Sequence, residues 1–231
     1  MLQIVDLNKK YGDFHSLKNL NLIVNPGEVF CLLGQNGAGK TTTINLCLGF
    51  IPPTSGYIKI DGEQVNDKSS SVSSKVAYIP EVVMLYGNLT GLENLDFFSR
   101  LAGFKYANSQ LESFLSEANL QKEAHAKRVG GYSKGMRQKV GIAIALAKNA
   151  KLIFMDEPTS GLDPKATDEF SKIVLRLGEQ GKAVLMATHD IFNAVNIGTH
   201  IGIMKDGQLI HSLQNSDINP NQLQKLYLET I

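Results

Sequence analysis

The sequence predicts an α/β fold, and three observations carry that prediction. Apolar runs at 29–33, 152–155 and 183–187 read as buried strands, too short and too uniformly apolar for surface helices. A glycine-rich turn at 34–39 joins the first run to a helix expected over 40–50. Between residues 89 and 126 the strand signal vanishes and helical spacing takes over. A helical insertion therefore interrupts an otherwise α/β chain.

Residues 2–7 alternate as a strand and 17–24 read as a second, on either side of Lys10-Tyr11-Gly12-Asp13. Tyr11 is placed either to stack on a nucleotide base or to sit on the core from a loop. The stretch Gly34-Gln35-Asn36-Gly37-Ala38-Gly39-Lys40-Thr41-Thr42 fits the phosphate-binding pattern G-x-x-x-x-G-K-[ST]. Its glycines let the backbone turn tightly and bring N–H groups to phosphate, and the helix start adds unpaired donors. Lys40 would reach the β- and γ-phosphates, and the Thr41 hydroxyl would bind Mg²⁺. The competing reading, a turn that merely packs closely, does not require Lys-Thr in register.

Residues 52–56 form a turn cluster, 57–61 a short strand, 66–75 an exposed polar loop and 76–79 another strand. In the insertion, Thr90 with Glu93 makes a capping box ahead of Leu92, Leu95 and Phe98. Ser109 with Glu112 makes a second, with Leu111, Phe114, Leu115 and Ala118 on one stripe. Gly130 and Gly131 mark a break, and Ser133 caps a long apolar helix running to about 149. The run at 151–156 then delivers Asp156 and Glu157 to a strand end, where ligands collect in open α/β sheets. Asp156 would serve Mg²⁺, and Glu157 would polarise a water for attack on the γ-phosphate.

Composition sets modest bounds. A chain of 231 residues suits one large domain or one core with an insertion. A net charge of +1 argues against a dedicated nucleic-acid binder. Cys31 and Cys47, both in apolar surroundings, read as packing residues of a reducing compartment. The chain opens directly on a strand, so no signal peptide is expected, and no apolar run approaches a membrane span. A cytosolic protein, or one on the cytosolic side of a membrane, is expected.

Further motifs carry a resemblance. Tyr132-Ser133-Lys134-Gly135-Met136-Arg137-Gln138 resembles the signature (consensus LSGGQ) of ATP-binding cassette (ABC) ATPases. Asp156-Glu157-Pro158-Thr159-Ser160-Gly161-Leu162-Asp163-Pro164 is similar to that family's joined Walker B and D-loop, and Thr188-His189-Asp190 to its H-loop. The resemblance spans essentially the whole chain. It implies a P-loop NTPase core with a mixed sheet, an N-terminal antiparallel β subdomain and an inserted helical subdomain. One domain over 1–231 is expected, with 1–80 and 150–231 as the core and about 82–149 as the helical part.

The resemblance also implies roles. Tyr11 would stack on adenine, the loop from Gly34 to Thr42 would cradle the phosphates, and His189 would hydrogen-bond the γ-phosphate. Ser133, Lys134, Gly135 and Met136 would face a nucleotide held by the opposite subunit, with the D-loop residues Ser160, Gly161, Leu162 and Asp163 beside it. A head-to-tail dimer follows, of identical subunits in preference to unlike ones. Glu81 stands where the family usually has Gln, linking Mg²⁺ and the water to the helical part. Lys134 replaces a signature glycine, and Met136 a glutamine. Both departures resemble a branch of bacterial exporters with freestanding ATPase subunits.

The expected function is ATP hydrolysis on the cytoplasmic face of the membrane, driving a separate transmembrane permease. The rivals are a soluble ABC protein acting on ribosomes or DNA, and a small P-loop kinase. The paired cassettes, long coiled coils and basic bias of the first are missing, and the signature disfavours the second. The loop 81–86 is the expected permease contact. Met84, Leu85 and Tyr86 are assigned to the partner, while Val82 and Val83 are left between partner and core.

Overall fold

A computed structural model describes residues 1–65 and 70–231. β1 (Leu2–Tyr11) and β2 (Phe14–Val24) form a hairpin, followed by β3 (Val29–Gly34) and α1 (Lys40–Cys47). β4 (Ser55–Ile60), β5 (Glu63–Gln64), α2 (Ser70–Lys75) and β6 (Val76–Ile79) come next. The insertion holds α3 (Gly91–Leu101), α4 (Asn108–Glu117), α5 (Lys122–His125) and α6 (Lys134–Ala147). β7 (Leu152–Asp156), α7 (Pro164–Glu179), β8 (Ala183–Thr188), α8 (Ile191–Ile197), β9 (His200–Lys205), β10 (Gln208–Gln214) and α9 (Pro220–Thr230) complete the chain.

Among the described residues there are two sheets. One runs β2-β1-β4-β5 and is antiparallel throughout. The other runs β10-β9-β3-β8-β7-β6, parallel except where β10 turns back on β9, so it is mixed. The three continuous apolar runs become β3, β7 and β8 because both their faces are covered. Cys31, Leu33, Ile153, Met155, Val184 and Met186 pack on the helical side. Phe30, Leu32, Leu152, Phe154, Leu185 and Ala187 pack toward the antiparallel sheet and α1. Cys31 and Cys47 are buried and unpaired, and burial pushes both thiols up, Cys31 to about 12.

Several boundaries differ from expectation. β1 and β2 extend to Tyr11 and back to Phe14, closed by a tight Gly12-Asp13 turn, so Tyr11 ends a strand. α1 stops at Cys47, because Gly49 adopts a left-handed φ of 71° that unwinds the chain before Phe50. β4 starts at Ser55, two residues ahead of Tyr57, by pairing with Asn8. Within the expected loop at 66–75, residues 70–75 are the helix α2 and 66–69 lie outside the described residues.

The Thr90–Glu93 box forms as read. The Ser109–Glu112 box does not: α4 begins two residues earlier, capped at Ala107, whose N–H donates to the Gln110 side chain at 3.0 Å. The stripe survives that shift, with Leu111, Leu115 and Ala118 buried. Ser133 caps α6, its hydroxyl accepting from Met136 N at 3.3 Å.

One turn braces the glycine-rich loop. At the tip of β9–β10, Gly207 donates its N–H to Ala38 O at 3.1 Å and accepts from Lys18 N at 2.8 Å. A Cβ on Gly207 would stand 2.4 Å from Ser16 O, at a φ of +80°. Gly207→Val should cost more than about 1 kcal/mol in urea unfolding, since side chains at positive φ are strained even without a clash. Amide exchange over 34–39 should accelerate in the same variant; unchanged protection there would mean the turn is no brace.

Candidate active site

β3 ends at Gly34 and hands the chain to the loop whose last residue, Gly39, opens α1. Gly39 has a φ of +104°, and a Cβ there would come within 2.6 Å of Leu17 and 2.9 Å of Ser16 O. Only glycine lets the loop press this closely against β2 at that φ. The Lys40 ammonium is buried. It donates to Gly34 O at 2.6 Å and Gln35 O at 3.3 Å, folding the lysine back over its own loop. The loop borders a cleft of about 380 Å³, lined by Lys40, Thr41, Thr42, Glu81, Asp156 and Glu157 and also by Tyr11 and Phe14.

β7 brings the acids to the same cleft. Glu157 has a left-handed backbone, φ 46°, a costly conformation for a non-glycine residue. Its N–H is held by Ala187 O at 2.9 Å. That turn aims the carboxylate between two partners: Oε2 meets His189 Nδ1 at 2.8 Å, and Oε1 faces Lys40 Nζ at 3.6 Å. His189 follows β8, neighbour of both β3 and β7, so strand order alone brings the three residues together.

The other expected residues divide into groups. Gln35, Asn36 and Gly37 line the cleft, whereas Gly34 and Ala38 lie buried beneath it. Ser133, Gly135 and Met136 do not reach it; they line a separate hollow of about 190 Å³ with Asp163. Lys134 instead reaches Glu81 Oε1 at 3.5 Å, where the Ser160 hydroxyl also donates at 3.0 Å. Gly161 turns the chain at positive φ, Leu162 packs on the core, and Asp163 caps α7 by accepting from Ala166 N at 2.9 Å. Sequence reasoning missed Phe14 and Ser16. Phe14 pairs with Tyr11 across the hairpin tip, and the Ser16 hydroxyl lies 3.0 Å from that of Thr42. The Gly-Asp turn between two alternating runs was the available signal.

The residues present fit a magnesium ion shared with phosphate. Asp156 is buried, hydrogen-bonded to the Thr41 side chain, and keeps Oδ1 without a hydrogen-bond partner. Burial first, then the field of Glu157, holds the Asp156 carboxyl above its usual range, against the hydrogen bond from Thr41. A raised native value means the folded state binds the proton more tightly. The ionised group therefore costs stability, increasingly as pH rises from the ordinary carboxylate value through the raised one. Asp156→Asn should raise the thermal midpoint at pH 7, by roughly 2–4 °C per kcal/mol relieved. The gain should shrink as pH falls toward 4; a lower midpoint at neutral pH would refute the electrostatic reading.

The family model described as "ABC transporter" matches residues 17–160. The bacitracin transport ATP-binding protein BcrA of Bacillus licheniformis is 36% identical over 214 residues, covering 92% of this chain and 69% of that protein. The Nod factor export ATP-binding protein I of Cupriavidus metallidurans is 35% identical over 225 residues, 94% of this chain and 74% of its own. Among solved structures, an ATP binding subunit of an ABC transporter superposes with a TM-score of 0.86 at 31% identity, covering 99% and 98% of the two chains. A dimeric cassette, MJ0796, bound to ADP and Pi gives a TM-score of 0.82 at 29% identity, covering 93% and 99%. The chain belongs to the ABC transporter family and is one of its ATPase subunits, coupling ATP hydrolysis to transport.

Proposed function

We propose that this subunit binds ATP in the cleft, closes head-to-tail on a second copy of itself, and drives a separate membrane permease in the direction of export. The observation that carries the chemistry is the Glu157 carboxylate held between His189 and Lys40 at the mouth of the phosphate loop. Glu157 takes a proton from the attacking water, and a ring N–H of His189 donates to the γ-phosphate. Tyr11 stacks on adenine, half-exposed at the cleft, with Lys9 Nζ over its other face at 4.9 Å. Thr41 and Asp156 would hold Mg²⁺, which when bound offsets phosphate charge.

The dimer is supported by the separation of Ser133 and Gly135 from the cleft: a second subunit is needed to bring a signature to the nucleotide. Two similar cassette structures are described as dimeric. Export is supported by one relative named for it, the Nod factor export ATP-binding protein I. Among the described residues no helix is long and apolar enough to cross a membrane.

The contact with that partner is proposed on the helical part, 82–149, and its expected residues need revision. Val83 is buried over Gly141, and Leu85 packs on the core, so both are structural. Met84 is 79% exposed and Tyr86 50%, and the Tyr86 ring meets Phe97 edge-on at 4.9 Å. With Val82 they form an apolar surface suited to an inserted helix from the permease.

Glu157→Gln should retain ATP binding while turnover falls roughly 10²–10⁴-fold, the usual weight of a general base. It should also accumulate as an ATP-bound dimer on size exclusion; near-normal turnover would remove Glu157 from its role. Met84→Ser with Tyr86→Ser should leave folding and basal ATPase of the isolated subunit within about twofold, since exposed sites seldom cost much stability. Co-purification with the permease should fall sharply; undiminished binding would move the contact elsewhere.

A further inference from the structure

Three segments converge on one carboxylate oxygen. Glu81 follows β6, Ser160 follows β7, and Lys134 opens α6. Glu81 Oε1 accepts from Ser160 Oγ at 3.0 Å and faces Lys134 Nζ at 3.5 Å. One turn further along α6, buried Gln138 donates through Nε2 to Pro80 O at 3.2 Å and Glu81 O at 3.0 Å. Residues four apart lie on one helix face. A single face of α6 thus holds both the backbone of Glu81 and its side chain.

Glu81 has an electrostatic cost. With Asp156 and Glu157 it makes a third carboxylate lining a cleft meant for a polyanion. Lys40 faces Glu157, and the Lys134 ammonium is the cation facing Glu81. Both residues are this chain's departures from the pattern it resembles, which has a neutral glutamine and a glycine in these places. Two charged substitutions of opposite sign, far apart in sequence and adjacent in space, have the form of mutual compensation.

We propose that Lys134 is a positioning residue for the ATPase site: it neutralises Glu81 and holds its side chain at the cleft rim, so that the two act as one matched pair. The proposal rests on the reading of the cleft as an ATP site. Lys134 also stands between Ser133 and Gly135, so the pair joins the cleft of a subunit to the surface that meets the opposite subunit.

The test is a double-mutant cycle on the full chain, reading ATP dissociation constants by calorimetry at low and high salt. Lys134→Met keeps the length and helix propensity of the side chain but removes its charge. Alone it should weaken ATP binding roughly three- to fivefold, the upper range for a partly exposed ion pair. In the Glu81→Gln background the same substitution should change affinity by less than about twofold, because no carboxylate is then left uncompensated. Lys134→Arg should bind ATP like the parent, and the Lys134→Met defect should shrink in about 0.5 M salt, where screening reaches across such a pair. Equal losses from Lys134→Met in the parent and in the Glu81→Gln background would overturn the pairing, as would a defect indifferent to salt. Thermal midpoints of all variants separate these outcomes from misfolding, which removing the Glu81 charge would not repair. Failure of the parent chain itself to bind ATP would instead overturn the underlying reading, and the pair with it.

Discussion

The Lys40 ammonium is nearly sealed from solvent, and a buried cation is tolerated only when its lost hydration is replaced. Here the replacement comes from the Gly34 and Gln35 carbonyls and from the nearby Glu157 carboxylate. Each partner constrains a different part of the molecule. The carbonyls fix the curl of the glycine loop. The carboxylate requires β7 to end level with β3, although β8 lies between them. Phosphate arriving at the loop would offer Lys40 a stronger anion, releasing Glu157 to water and to His189. The same ammonium would then serve resting fold and loaded site by exchanging one anion for another.

The helical insertion meets that centre at residue 81, where contacts from α6 cluster. Gln138 holds the backbone at 80–81, Lys134 and Ser160 hold the Glu81 side chain, and Val83 packs against Gly141. Beyond them the loop opens into exposed Met84 and Tyr86. Residue 81 at the cleft and residues 84–86 at the outer surface therefore lie on one loop that α6 holds.

What the sequence made legible was whatever depends on local chemistry. The buried strands announced themselves because β3, β7 and β8 are covered on both faces and tolerate no polar interruption. The phosphate loop, the two acids and Ser133 were legible as short patterns with fixed geometry. What escaped was set by competition or by distance. The cap of α4 could form at Ser109, yet the Gln110 side chain satisfies Ala107 N–H and starts the helix earlier. Phe14 and Ser16 enter the cleft only because the hairpin is longer than its alternation suggests. The helices α8 and α9 were passed over, though Asp190 and Asn219 cap them with ordinary side-chain acceptors. The link of Glu81 to Lys134 joins residues 53 apart, which no local pattern reveals.

The two cysteines bracket the phosphate loop, one in the strand that enters it and one in the helix that leaves it, and both are fully buried. Thiol chemistry begins with the thiolate, which burial suppresses here. The two thiols that flank the nucleotide site are thus held in their protonated, less reactive form for as long as the fold holds. Maleimide uptake at these two thiols is expected to rise as the chain unfolds. A single reporter cysteine could be introduced at an exposed position without first stripping the protein of its own.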